Sequence, residues 1–277
     1  MSQDCMAGME PVDRQTEAGG IYWNYLEWNP TGRLNIVLVH GITSTARGWW
    51  RVGPSLAEMD ARVIAVNMPG HGGSSESRDG VKWERTGAQL AAFIEELNLK
   101  DYRLAGHSWG GVVCLYVAAH YRSRLARVAL LDPVLYLEPE RSEKVGAGYE
   151  AQVNQPKLSW QAYLEHARLN MPTWSECDHY WKAEAMQGYQ PATVRDYFWH
   201  NLGQNVTHWL SPVNVPLLLM IANEQLGGLL DPDLQAQAQA ALHPNLGQIV
   251  RLENAGHNLH REDYSGTMQH LKPFLLA

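Results

Sequence analysis

Phenylalanine is scarce in this chain, with 3 in 277 residues against 11 Trp and 12 Tyr. The aromatic bulk therefore comes mostly from rings with a polar handle, which suit binding pockets as well as cores. Cysteine is scarce too. Cys5, Cys114 and Cys177 are odd in number and widely spaced, and they form neither a disulfide framework nor a zinc pattern. On that reading the compartment is reducing, and the expected location is the cytoplasm. The 12 histidines contain no HExxH or similar ligand spacing, so no metal is expected. No apolar run approaches the ~18 residues of a membrane span, and no membrane partner is expected. Basic clusters are absent and the net charge is -7, which argues against a nucleic-acid partner. The first residues lack the basic start and apolar stretch of a signal peptide. Residues 1–19 read as a flexible leader.

The 45% of apolar residues are enough to fill one large core. Their arrangement is rhythmic. Short apolar runs at 35–40, 62–67, 102–106 and 128–132 read as buried strands. Leu90, Phe93, Ile94 and Leu97 follow helical spacing, and 112–121 also fits a helix. The rhythm stops at 134–211, which holds helix-compatible stretches rich in Trp. It resumes with strands at 216–222 and 248–252 and helices from about Pro232 and Tyr264. Alternating βα units predict an α/β fold with a mostly parallel sheet and helices on both faces. The stretch 21–28 fits an antiparallel edge strand. The division is a core of 20–133 and 212–277 with a helical cap inserted at 134–211.

Gly106-His107-Ser108-Trp109-Gly110 lies between a predicted strand and a predicted helix. A G-x-S-x-G turn in that context is a nucleophile elbow. The turn is tight enough that side chains at Gly106 and Gly110 would collide with neighbouring backbone, and it lifts the Ser108 hydroxyl above the sheet. The helix that follows aims its free N–H groups at the same place. Ser108 is the candidate nucleophile.

His40-Gly41-Ile42 ends an earlier strand. Here, and again at Asn67-Met68-Pro69-Gly70-His71-Gly72-Gly73-Ser74, the chain resembles the α/β-hydrolase family. The resemblance implies the α/β-hydrolase fold and an oxyanion hole from the backbone N–H groups of Ile42 and Trp109. His71 reads as structural. Ala255-Gly256-His257-Asn258 stands where the family carries its catalytic histidine, so His257 is the expected base, with His260 a nearby competitor. The serine needs such a base to become a useful nucleophile.

The third member of the set is less directly marked. The family's usual Asp after the strand following the cap is missing, and Asn223 and Gln225 occupy that stretch. Glu224 and Asp231 are alternatives. Asp132 ends the strand after the nucleophile helix, where some family members carry the acid, and it is the expected choice.

The expected reaction is acyl transfer to water through an acyl-enzyme on Ser108, without cofactor or metal. An ester or lactone of a bulky apolar or aromatic small molecule is the expected substrate. Trp160, Tyr163, Met171, Trp174, Trp181, Met186 and Tyr189 (with Trp199) are the candidate pocket residues in the cap. Within the family, a serine at the elbow disfavours haloalkane dehalogenases and epoxide hydrolases, whose nucleophile is Asp. Amide or iminopeptidase-like cleavage and carbon–carbon bond hydrolysis stay open, and so does a small-molecule receptor that keeps the triad. Monomer and homodimer are both compatible with the sequence.

Overall fold

A computed structural model describes residue 5 and residues 8–277. Among the described residues, the strands in chain order are β1 (Val12–Ala18), β2 (Ile21–Trp28), β3 (Leu34–Val39), β4 (Ala61–Val66), β5 (Tyr102–His107), β6 (Leu125–Leu131), β7 (Leu217–Ala222) and β8 (Gly247–Leu252). They form one sheet in the order β1-β2-β4-β3-β5-β6-β7-β8. β1 and β2 are antiparallel, β2 runs antiparallel to β4, and every later pairing is parallel. The principal core helices are α1 (Val52–Ala57), α2 (Trp83–Glu96) and α3 (Trp109–His120), and, later in the chain, α8 (Pro232–Ala241), the short α9 (Leu259–Glu262) and α10 (Tyr264–Leu276).

The near-continuous apolar runs are explained by the two faces of the sheet. On β3, Val37 and Val39 pack with Leu90 and Phe93 of α2 and Val112 of α3. Their neighbours Ile36 and Leu38 pack the other way, with Leu56 of α1 and Leu271 and Leu275 of α10. All four strand side chains are fully buried. A strand covered on both sides has no reason to alternate apolar with polar.

Between β6 and β7 lies a helical insertion: α4 (Pro139–Glu150), α5 (Trp160–Asn170), α6 (Glu176–Gly188) and α7 (Pro191–His200). Its two ends are stitched together, with the Leu137 N–H donating to Gln204 O at 3.1 Å and the Val206 N–H to Leu135 O at 2.8 Å. It touches the loops at the C-terminal ends of the strands. The Gln190 N–H donates to Gly70 O at 2.9 Å, and Trp50 Nε1 donates to Asp178 Oδ1 at 2.9 Å. No described helix is long and apolar enough to cross a membrane.

Two expectations need correction. The leader reading of 1–19 lies partly outside the described residues, but Val12–Ala18 is ordered as edge strand β1, paired along its length with β2. Five of its seven residues are polar and most are exposed, as suits an edge, so no apolar pattern announced it. The Gly19-Gly20 pair could have, because both residues have positive φ, at 58° and 77°. Two such glycines between paired segments mark a tight hairpin. The second correction concerns cysteine. Cys5 and Cys177 form a disulfide across 172 residues of sequence, with Cα atoms 5.1 Å apart. Linear spacing carries no information about such a long-range approach. The pair removes the cysteine argument for a reducing compartment.

Candidate active site

Ser108 stands between β5 and α3 with φ 56° and ψ -117°, a backbone conformation that L-residues adopt only under constraint. The glycines on either side make the turn sterically possible. A Cβ on Gly106 would lie 2.2 Å from Gly110 O, and one on Gly110 would lie 2.2 Å from Val39 O. The Ser108 carbonyl accepts from Val112 N–H at 3.2 Å and from Val134 N–H at 3.3 Å, which fixes the turn.

His257 reaches Ser108 from the loop between β8 and α9. Its Nδ1 donates to Asp132 Oδ2 at 2.7 Å, since a carboxylate oxygen only accepts. In the neutral ring Nε2 is then the acceptor, and it receives the Ser108 hydroxyl at 2.9 Å. Asp132 is fully buried. Its Oδ1 accepts from Ala222 N–H at 3.2 Å and its Oδ2 from Leu229 N–H at 3.0 Å. The carboxylate thus has backbone donors as well as the imidazole, and its orientation is set by β7 and the loop that follows.

The other two acids are engaged elsewhere. Glu224 Oε2 accepts from Arg251 Nη2 at 2.7 Å. Asp231 is the N-cap of α8, its Oδ1 accepting from Leu234 N–H at 2.8 Å. The competing histidine, His260, is buried with its ring stacked on Trp49 at 4.7 Å.

Ile42 follows Gly41 in the loop after β3. A Cβ at Gly41 would lie 2.9 Å from Ser108 Cβ, so this loop passes directly beside the serine. Trp109 is the first residue of α3, where backbone N–H groups lack intrahelical partners. Both N–H groups therefore belong to the immediate surroundings of Ser108.

Three contributors carried no signal that the sequence reading used. Glu262 holds the histidine loop from both sides, Oε2 accepting from Gly256 N–H at 2.6 Å and Oε1 from Asn258 N–H at 3.3 Å. His107 Nε2 donates to the His257 carbonyl at 2.8 Å. Lys182, on α6, donates to Thr43 O and Thr43 Oγ1, both at 2.9 Å. Thr43 itself has φ 60°, so the ammonium ties down a strained residue beside Ile42. His107 sits inside the elbow motif, where it could have been noticed; Lys182 has no sequence marker.

The cap candidates separate into groups. The Tyr189 ring lies 6.2 Å from that of His71, which is 5.5 Å from the Trp109 ring. Tyr163 and Met186 join Tyr189 along a cleft of about 370 Å³. Trp174 lies over Arg261 at 4.4 Å and donates to Glu262 Oε1 at 3.4 Å, near the histidine loop. Trp160 packs against the cluster that holds Tyr163, beside Met186, and the remaining candidates have other partners. Trp181 donates to Cys5 O at 3.0 Å under the Arg47 guanidinium. Trp160 packs edge-on to Tyr180, and the Met171 carbonyl accepts from His179 Nε2 at 2.8 Å. Trp199 is 42% exposed. A helix spreads its side chains around its circumference, so aromatic content alone does not tell which of them converge.

Burial dominates the titration of the surrounding rings. It holds His40, His107 and His260 well below the usual histidine range and lowers His71 to about 4. Burial also lowers Lys182 to about 7, helped by the Arg261 charge. The histidines give a testable pH dependence. A folded-state value below the unfolded ~6.5 means that the unfolded chain binds the proton first. Stability is then complete above ~6.5 and is lost as pH falls toward the folded values, by up to ~1.4 kcal/mol per unit for each histidine. Melting temperature should drop steeply between pH 6.5 and 5, and a flat profile there would contradict the buried neutral state of these rings.

Comparison with known proteins fits this geometry. A family model described as the alpha/beta hydrolase fold matches residues 35–193. The chain belongs to the alpha/beta hydrolase fold family. Among curated relatives, it is 33% identical over 121 residues to the dihydrolipoyllysine-residue acetyltransferase component of the acetoin cleaving system of Pseudomonas putida, covering 44% of this chain and 32% of that one. It is 29% identical over 120 residues to lipase LipV of Mycobacterium tuberculosis, covering 43% and 44%. These matches span less than half the length of the relatives. Among solved structures, the E-2-(acetamidomethylene)succinate hydrolase superposes with a TM-score of 0.82 at 21% identity, over 96% of this chain and 100% of that one. An esterase from Rhodococcus sp. ECU1013 gives 0.75 at 18%, over 96% and 98%. At such identities the likeness is one of fold. This family member combines that fold with a Ser–His–Asp hydrogen-bonded row at the C-terminal edge of the sheet.

Proposed function

We propose that the chain is a serine hydrolase that cleaves carboxylic esters or lactones. The observation that carries this reading is the hydrogen-bonded row from Ser108 Oγ through His257 to Asp132. Ser108 Oγ attacks the ester carbonyl as its proton passes to His257 Nε2, and Asp132 stabilises the resulting imidazolium. The carbonyl oxygen becomes an oxyanion facing the Ile42 and Trp109 N–H groups. As the tetrahedral species collapses, the alcohol leaves with the proton from His257, and Ser108 keeps the acyl group. A water molecule, deprotonated by the same nitrogen, then attacks the acyl carbonyl. The second collapse releases the acid and returns the proton to Ser108. Fold membership alone does not fix this chemistry; the side chains at the elbow favour it.

In this reading the helical insertion is a cap whose apolar and aromatic side chains set the preference for a bulky substrate. Two measurements test the proposal. A fluorophosphonate should label the wild-type protein at Ser108, located by peptide mass spectrometry. Benzyl and longer acyl esters should be turned over repeatedly, with higher kcat/KM than ethyl acetate. Labelling that spares Ser108 overturns the nucleophile assignment. A single product per protein with no turnover would instead point to a receptor that keeps the triad.

A further inference from the structure

Lys182 stands out because of its electrostatic company. Its side chain is only 9% exposed, and its acceptors on Thr43 are neutral. It makes no salt bridge among the described residues. Arg261, from α9, is 6% exposed. Its Nη2 donates to Ser44 Oγ at 3.1 Å, while Nε is buried without a hydrogen-bond partner. The two cations approach residues 43 and 44, the stretch that continues from Ile42. They lie close enough for the guanidinium to disfavour charge on the ammonium.

The nearby carboxylates are already committed. Asp178 accepts from Trp50 Nε1, from Arg51 Nη2 at 3.3 Å and from Ser175 Oγ at 2.6 Å. Glu262 accepts from Gly256, Asn258 and Trp174. Both of these acids favour the charge on Arg261 from a distance. Asp178 and Glu262 thus serve Arg51 and Arg261, whereas Lys182 has no carboxylate partner among the described residues, and burial beside the Arg261 charge lowers its ammonium to about 7. Burying an unmatched charge is costly, so an ammonium disfavoured in this way gains most from an anion brought beside it.

We propose that Lys182 and Arg261 form a subsite for one carboxylate of the substrate, so that the ester cleaved here carries an acid group a few atoms from its scissile carbonyl. This rests on the serine-hydrolase reading above. A single excess charge fits a carboxylate better than a phosphate dianion. Thr43 and Ser44 directly follow Ile42 in the chain, so the two cations hold the loop that carries one of the oxyanion donors. Binding energy from that remote group would then help to orient the carbonyl in the transition state.

The test compares monobenzyl glutarate with its neutral carboxamide counterpart, reading initial benzyl alcohol release. For the wild type, kcat/KM should be at least tenfold higher for the acid. Lys182→Met should reduce that ratio at least tenfold, and Lys182→Arg should keep most of it. Calorimetric titration of glutarate into the Ser108→Ala protein should show one site, weakened at least tenfold by adding Lys182→Met or Arg261→Met. Equal wild-type rates on the two esters overturn the proposal. So does a Lys182→Met loss that is the same for both, which would make Lys182 a positioning residue for the Thr43 loop. Should Lys182→Met fail to fold, the wild-type ratio and the glutarate titration still decide. A wild type inert on both esters and unlabelled at Ser108 would defeat the serine-hydrolase reading, while absence of glutarate binding would defeat the subsite.

Discussion

Replacing Ser108 with Ala is expected to abolish ester turnover, by roughly 10⁶-fold in kcat, and to leave the fold intact. Alanine lacks the oxygen that forms the acyl bond, and no neighbouring group replaces it. The imidazole that would accept the proton is held by Asp132, so it stays in place without a partner. The strained backbone at φ 56° is retained, because the glycines on either side and the carbonyl contacts to Val112 and Val134 set it independently of the hydroxyl. The variant should melt within a few degrees of the wild type and lose fluorophosphonate labelling. Residual turnover within tenfold of the wild type would mean that another group attacks the substrate.

The second large effect is expected at Asp132. Asp132→Asn should lower kcat by about 10⁴-fold. An asparagine at this site must satisfy two backbone donors, Ala222 N–H and Leu229 N–H, with its one carbonyl oxygen, or turn its amide towards one of them. If the amide faces His257, two donors oppose each other and the ring takes the other tautomer. Nε2 then carries the hydrogen and is unable to accept the serine proton. Loss of the negative charge also leaves the imidazolium without its counter-ion in a dry site. Glu224→Gln and Asp231→Asn should each change kcat less than tenfold. Glu224 serves Arg251, and Asn caps a helix about as well as Asp. A crippled Glu224→Gln beside a mild Asp132→Asn would move the acid to the loop after β7.

The choice between these acids shows where reading the sequence became harder. Asp132, Glu224 and Asp231 all lie near the C-terminal ends of strands, and spacing leaves all three within plausible reach. What separates them is where their donors lie. Asp132 also has φ 41°, a bend that turns its carboxylate toward the next strand's backbone. That contact joins residues 90 and 97 positions apart, which local sequence does not report.

The sequence by itself determined the sheet's interior strands, because a strand buried on both faces must be apolar throughout and its run is visible without partners. It marked the elbow and its Ser108 as well. The elbow is a local structure whose glycines are required within two residues of Ser108, so cause and signal sit in the same pentapeptide. Tertiary structure decided the rest. The polar edge strand β1 is held by backbone pairing with β2, and its side chains leave little trace of that. The Cys5–Cys177 bond and the reach of Lys182 to Thr43 join segments 172 and 139 residues apart. The dispersal of the insertion's tryptophans follows from which side of each helix meets the core. Such contacts depend on the closing of the whole chain, and long-range proximity has no local pattern from which to be read.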